Sequence, residues 1–279
     1  MFSNITVVGA GQMGAGIAQV IAQKDISVWL IDIKESSLEK ARNTIQKSLD
    51  KLHKKNILTL TPDQVSQKIQ YGSHFNTMEK SKMVIEAVPE NLELKLKVFK
   101  QISDKVTTDT IIASNTSSIS INQLAEVVSH PERVAGLHFM NPVPLMKLVE
   151  IIRTEKTTES VFNTLCQFTV FLDKVAVSSK DKAGFIVNRI LMPMINSAVF
   201  ALMESLASAE DIDKAMQLGC HHKMGPLALA DLIGLDICLS IMLVLQGAFG
   251  DKYAPCPLLK QYVEEGRLGK KSGRGFYTY

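Results

Sequence analysis

Two residues carry the first hint of chemistry, a histidine and a glutamate twelve positions apart, His138 and Glu150. His138 lies in a β-rich run, VAGLHFM, that is followed by Asn141-Pro142. An imidazole titrates near neutrality and can take and return a proton there. A histidine in such a setting is also often structural. The other five, His53, His74, His130, His221 and His222, stand in polar or turn-like contexts. Glu150 interrupts an apolar run, LVEII. A carboxylate buried there needs a partner. One reading pairs it with a histidine on a neighbouring segment, where it would orient the imidazole and stabilise its protonated form. The other makes it a plain ion pair with Arg153 or Lys147.

Two polar groups join the candidates. Ser114-Asn115-Thr116-Ser117-Ser118 follows a β-branched run and is either loop chemistry or a substrate-facing rim. Asn188 stands among apolar residues early in a long helical pattern. It either caps a local network or reaches towards a ligand.

What these groups could act with is indicated at the N-terminus. Gly9, Gly11 and Gly14 in VVGAGQMGAGIA form G-x-G-x-x-G between a strand and a helix. The first glycine permits a tight turn, the second a close approach of backbone to pyrophosphate, the third close helix–strand packing. Gln12 and Met13 fall on the helix N-terminus that would face the phosphates. Asp32 ends the second strand, 18 residues beyond Gly14. A carboxylate there accepts hydrogen bonds from ribose hydroxyls and repels a 2′-phosphate, so NAD is favoured over NADP, although Lys34 puts a cation nearby. A nicotinamide cofactor beside a histidine base implies oxidation of an alcohol. The hydroxyl proton leaves to the base as hydride leaves to the cofactor.

The elements that must position these residues alternate. Strand patterns are expected at 5–9, 27–32, 83–88, 110–114, 134–139, 148–152 and 174–177, with amphipathic helices at 12–24 and 37–52 and others between later strands. This predicts an α/β Rossmann-like dinucleotide-binding domain with a mainly parallel sheet over residues 1–182. Beyond it the strand alternation stops. One helix is expected over 182–204, kinked at Pro193 or broken just before it. Further helical patterns cover 208–218, 226–249 and 257–265. Residues 183–279 are thus expected to form an all-α domain. His138 then falls near the C-terminal edge of the sheet, where open α/β sheets bind ligands.

Composition excludes several classes. The chain has 279 residues, 46% apolar and 21% charged, with a formal net charge of +3. That excess suggests no nucleic-acid surface. Four cysteines form no CxxC pair and match no common zinc spacing, so no metal is expected and the thiols are expected free and mostly buried, in a reducing compartment. The first residues resemble no signal peptide, and the most apolar stretch, 237–249, is too short to span a bilayer. A cytoplasmic location without a membrane association is expected.

Together the motifs resemble the L-3-hydroxyacyl-CoA dehydrogenases, particularly the short-chain 3-hydroxybutyryl-CoA group. The likeness runs through VGAGQMGAGIA, EAVPENLELK, ASNTSSISI, GLHFMNPVPLMKLVEII, GFIVNRILMPMINSA, MGPLALADLIGLD and LGKKSGRGFY, nearly the whole length in order. The chain departs where the family pattern has proline, with Ala183 before GFIVNR and Lys223 before MGP. The resemblance implies that His138 is the catalytic base and Glu150 its partner. It implies that Ser117 hydrogen-bonds the substrate's 3-oxygen and that Asn188 completes the site. It places Asn115, Glu90 and Lys95 on the cofactor side, and Ser48 and Lys55 against the CoA moiety. It also implies a homodimer through the helical domain. Two other functions remain open for the same residues: a dehydrogenase of a free hydroxy acid or sugar acid, and a non-catalytic NAD-binding protein. The joint presence of His138, Glu150, Ser117 and Asn188 argues against the second.

Overall fold

Short β-branched runs build the centre of the first unit. The computed structural model describes residues 2–279. In chain order the first unit contains β1 (Ile5–Val8), α1 (Gln12–Ala22), β2 (Val28–Ile31), α2 (Glu35–Lys54), α3 (Pro62–Gln67), β3 (Ile69–Gly72), β4 (Met83–Glu86), α4 (Leu92–Ser103), β5 (Ile111–Ser114), α5 (Ile121–Ala125), β6 (Val134–Phe139), β7 (Leu148–Arg153), α6 (Glu159–Phe171) and β8 (Val175–Lys180). The eight strands form one sheet in the order β3-β2-β1-β4-β5-β6-β7-β8. All neighbouring pairs are parallel except β6 and β7.

Every residue of β1, β4, β5 and β6 is buried. Successive strand residues point to opposite faces, so the sheet is covered on both. The amphipathic α2 contributes Leu38, Ala41, Ile45, Leu49 and Leu52 to the core, on the spacing of three and four that places them on one face. The order reverses between β1 and β4. The chain turns leaving β1, β4, β5 and β6 therefore gather along one C-terminal edge, the usual ligand edge of such sheets.

A second compact unit runs from Ala183 to Tyr279, the first ending at Lys182. It holds α7 (Val187–Met203), α8 (Ala209–Cys220), α9 (Pro226–Ile233), α10 (Leu235–Phe249) and α11 (Pro257–Glu264). Met192, Ile195, Val199, Leu227, Leu235, Met242 and Leu259 pack in its core. Two buried aspartates organise its loops. Asp213 accepts from the amides of Leu227 and Ala228 at 2.8 and 2.9 Å and so caps α9. Asp231 accepts from the amides of Phe276 and Tyr277, each at 2.9 Å, and so holds the GRGFY segment. A Cβ on Gly225 would collide with Asp213, and one on Gly275 with Asp231. These two glycines are therefore required by packing against the aspartates.

Several expectations need correction. The helix expected from 182 begins only at Val187, because Gly184 and Phe185 take φ of +76° and +47° and turn the chain out of helix. The helix is unbroken across Pro193. The pattern at 226–249 is two helices, bent by 99° at Gly234, whose φ is +107°. β3 was not expected, since IQYG has little alternation. Only Cys238 and Cys256 of the four free cysteines are buried; Cys166 is half-buried and Cys220 exposed. Burial pushes the Cys238 thiol up to about 12, which makes it inert. Among the described residues no single helix is long and apolar enough to cross a membrane, and no group of three or more His, Cys, Asp or Glu could hold a metal ion.

Candidate active site

The fingerprint loop leaves β1 as the motif demands. Gly9 has φ of +104°, and a Cβ there would lie 2.6 Å from the carbonyl oxygen of Ala87. A Cβ on Gly14 would collide with the Gly9 carbonyl oxygen. Around Gly11, by contrast, a Cβ would meet nothing within 4 Å. Gly11 caps α1 without a side-chain hydrogen bond, so no side chain there competes for the amides of the first turn. The residues fit a dinucleotide: open space over an uncapped helix N-terminus receives a pyrophosphate. Asp32 follows β2, and both its oxygens are fixed by backbone. Oδ2 accepts from Ala10 N at 2.8 Å and Oδ1 from Lys34 N at 2.9 Å. Lys34 therefore meets Asp32 through its amide. Each carboxylate oxygen keeps a second lone pair for a ribose hydroxyl.

Losing that charged acceptor removes roughly 1.5–3 kcal/mol of binding. Asp32→Asn is accordingly expected to weaken NADH about 10- to 100-fold and to narrow its advantage over NADPH. Fluorescence titration of both nucleotides measures this; an unchanged ratio would remove Asp32 from cofactor choice.

His138 and Glu150 are register partners across the antiparallel pair β6–β7. Directly opposed side chains point to the same face within reach of one another. His138 Nδ1 lies 2.7 Å from Glu150 Oε2, and both side chains are buried. The ion pair with Arg153 or Lys147 is not formed: Arg153 meets Glu159 at 2.8 Å and Lys147 donates to the Asp173 carbonyl at 3.2 Å. The carboxylate fixes the ring plane and the tautomer with hydrogen on Nδ1.

Asn115 continues from β5 and accepts at Oδ1 from the amide of Phe139, 2.9 Å away, tying its loop to the residue after His138. Ser117 is held from across the sheet edge. Glu90 Oε1 accepts from the Ser117 amide at 2.9 Å and the Ser118 amide at 3.0 Å. It also takes the hydroxyls of Thr116 at 2.5 Å, Ser118 at 2.8 Å and Ser117 at 3.3 Å. Lys95 is fully buried, 3.4 Å from Glu90 and 2.6 Å from Glu86. Glu86 accepts in addition from Ser114 Oγ at 2.6 Å and from Val88 N at 2.6 Å. Burial works against ionisation of Glu90, but Lys95, the Thr116 and Ser118 hydroxyls and the Ser117 amide outweigh it and hold the carboxyl below its ordinary 4.5. Its stabilising contribution is present above that ordinary value and is lost as pH falls through the lower folded-state one.

Glu86 is absent from the sequence candidates. The signal was available: MVIEAV is a carboxylate in an apolar strand, the same pattern that singled out Glu150. Lys51 was also missed. It lines a cavity of about 230 Å³ with Ser48 and Lys55, between α1, α2 and residues 141–145. Ser48 and Lys55 are thus brought together, while Gln12 is bound to the far wall of the cavity, donating to Asn141 Oδ1 at 3.0 Å. Lys174 pins that wall, donating to the carbonyls of Val143 and Met146, each at 2.7 Å. Lys174→Met leaves two acceptors without a donor, for an expected loss of about 1–3 kcal/mol. Chemical denaturation checks it; a midpoint equal to wild type would mean that water replaces the ammonium without loss. Asn188 is buried on the first turn of α7 in the second unit.

The comparisons with known proteins agree along the whole chain. Residues 4–182 match the family described as 3-hydroxyacyl-CoA dehydrogenase, NAD binding domain, and residues 184–279 match its C-terminal domain. A Deinococcus radiodurans protein named probable 3-hydroxybutyryl-CoA dehydrogenase is 48% identical over 98% of this chain and 99% of its own. A Bacillus subtilis protein of the same name is 47% identical over 99% and 96%. The crystal structure of (S)-3-hydroxybutyryl-CoA dehydrogenase from Ralstonia eutropha superposes with a TM-score of 0.96 at 45% identity, covering 100% of this chain and 99% of that one. With an NAD-binding α/β unit, a helical unit and both matched end to end, the chain belongs to the 3-hydroxyacyl-CoA dehydrogenase family.

Proposed function

We propose that the protein interconverts (S)-3-hydroxybutyryl-CoA and acetoacetyl-CoA, or close short-chain homologues, with NAD. The observation that carries this reading is the buried pairing of His138 Nδ1 with Glu150 at the ligand edge of the sheet. The names of the relatives supply the acyl-CoA. Glu150 commits Nδ1, so proton transfer falls to Nε2 of His138. In the oxidative direction His138 takes the 3-hydroxyl proton, and Glu150 stabilises the imidazolium that results. Bound NAD supplies the hydride acceptor, and as NADH the donor in reverse. Ser117 holds the 3-oxygen, which carries developing charge in the reductive direction, and Asn188 of the second unit is assigned to the substrate. Asn115, Glu90 and Lys95 serve the cofactor side. Ser48, Lys51 and Lys55 receive the CoA moiety, two ammonium groups suiting its phosphates.

The unit ending at Lys182 is assigned to the cofactor and the His–Glu pair, and the unit from Ala183 to substrate binding and homodimerisation. Ile237 and Leu243 are large apolar side chains exposed on α10, which favours a partner there. A cytoplasmic location follows from the same reading, and free thiols agree with it.

The test follows NADH absorbance with acetoacetyl-CoA, free acetoacetate and NADPH in parallel. Turnover is expected only with the thioester, and with NADH preferred. Equal turnover with free acetoacetate would favour the free hydroxy-acid dehydrogenase instead.

A further inference from the structure

Glu90 receives more donors at one atom than it can satisfy. A carboxylate oxygen offers about two lone-pair directions. Five donors converge on Oε1: three hydroxyls, of Thr116, Ser117 and Ser118, and two amides, of Ser117 and Ser118. They are not equal. The Thr116 and Ser118 hydroxyls stand at 2.5 and 2.8 Å and the amides at 2.9 and 3.0 Å. The Ser117 hydroxyl stands at 3.3 Å, beyond the usual O–H···O range. It is the weakest of the five donors to Glu90, while its own backbone amide stays clamped.

We propose that Glu90 is a positioning residue for Ser117: it fixes the backbone of residues 116–118 and hands the Ser117 hydroxyl over to the substrate's 3-oxygen. The proposal rests on the reading of Ser117 as a contact to that oxygen. This role is additional to the one Glu90 has on the cofactor side. An oxygen gaining negative charge outcompetes a crowded carboxylate oxygen for the weakest of five donors. The hydroxyl then needs only a rotation, since its Cα is already in place. Lys95 keeps the clamp charged from the other side. Its ammonium is fully buried, 2.6 Å from Glu86 and 3.4 Å from Glu90, so solvent does not screen it. The side chain of Glu90 is itself 37% exposed, which leaves the clamp open to the ligand side.

The experiment is a double-mutant cycle between Glu90→Ala and Ser117→Ala, read on acetoacetyl-CoA reduction, with NADH affinity measured separately by fluorescence. At saturating NADH, Glu90→Ala is expected to lower kcat/KM for acetoacetyl-CoA about 10- to 100-fold, with any loss of NADH affinity measured separately and excluded by the saturation. In the Ser117→Ala background the same substitution is expected to cost less than about threefold. A full effect in that background would overturn the proposal and leave Glu90 with its cofactor-side role alone. Amide hydrogen exchange of the ligand-free protein separates the clamp from catalysis. Ser117 and Ser118 should exchange faster in Glu90→Ala, with partial protection restored in Glu90→Gln, which keeps an acceptor oxygen. Unchanged exchange would show that no clamp exists. Full turnover by Ser117→Ala alone would overturn the hand-over through its premise, and the exchange data would tell that failure from loss of the clamp.

Discussion

Replacement of His138 by glutamine is expected to lower kcat by about 10²- to 10⁴-fold, the usual share of a positioned general base. NADH affinity should barely move. Glutamine is similar in size and can still donate to Glu150, so the buried carboxylate keeps a partner and the β6–β7 register is undisturbed. What is lost is the ring nitrogen that accepts the substrate's proton. A fall confined to kcat locates His138 in the transition state; a rise confined to KM would make it a binding group. Single-turnover absorbance with saturating NADH makes the distinction. Near-normal turnover would reject His138 as the base.

The second large effect is expected at Glu150. Glu150→Gln keeps the shape of a fully buried side chain and removes its charge. The amide can present either an oxygen or an NH2 to Nδ1. The second choice turns the imidazole into the wrong tautomer, with hydrogen on the nitrogen that must accept it. The corresponding Asp-to-Asn substitution in a serine-protease triad lowers kcat by about 10⁴, and a loss of about 10³- to 10⁴-fold is expected here. The two effects should not add. Glu150 acts through His138, so the double variant should be no slower than the worse single one. Additive losses would give Glu150 a separate task.

The two residues were legible to different depths. Their types and apolar settings made them candidates, and the β-rich run at 134–139 was bounded correctly. Their pairing was one of two readings the residues left open, and the register that decides between them, across an antiparallel connection inside a mainly parallel sheet, was not readable. A shift of one residue would have turned Glu150 to the other face. The fingerprint was the opposite case. Its spacing is complete within residues 9–14, and Gly14 packs against Gly9 inside the motif, although Gly9 also packs against the distant Ala87. The clamp on Ser117 had no signal at all, since Glu90 and the loop it holds stand 26 to 28 residues apart. Glu86 had a signal that was not used. In the helical unit the apolar period continues across Gly234, which hid the sharp bend there. Only the left-handed φ of that glycine marks the break.

Hydride transfer to C3 of a CoA thioester is the centre of the account, and isotope tracing tests it most directly. NADH carrying deuterium at both C4 positions would be incubated with the protein and acetoacetyl-CoA, and the product examined by mass spectrometry. One deuterium bound at C3 of (S)-3-hydroxybutyryl-CoA, with none incorporated when free acetoacetate replaces the thioester, is the predicted result. A product without deuterium at C3, or equal labelling of the free acid, would contradict the account.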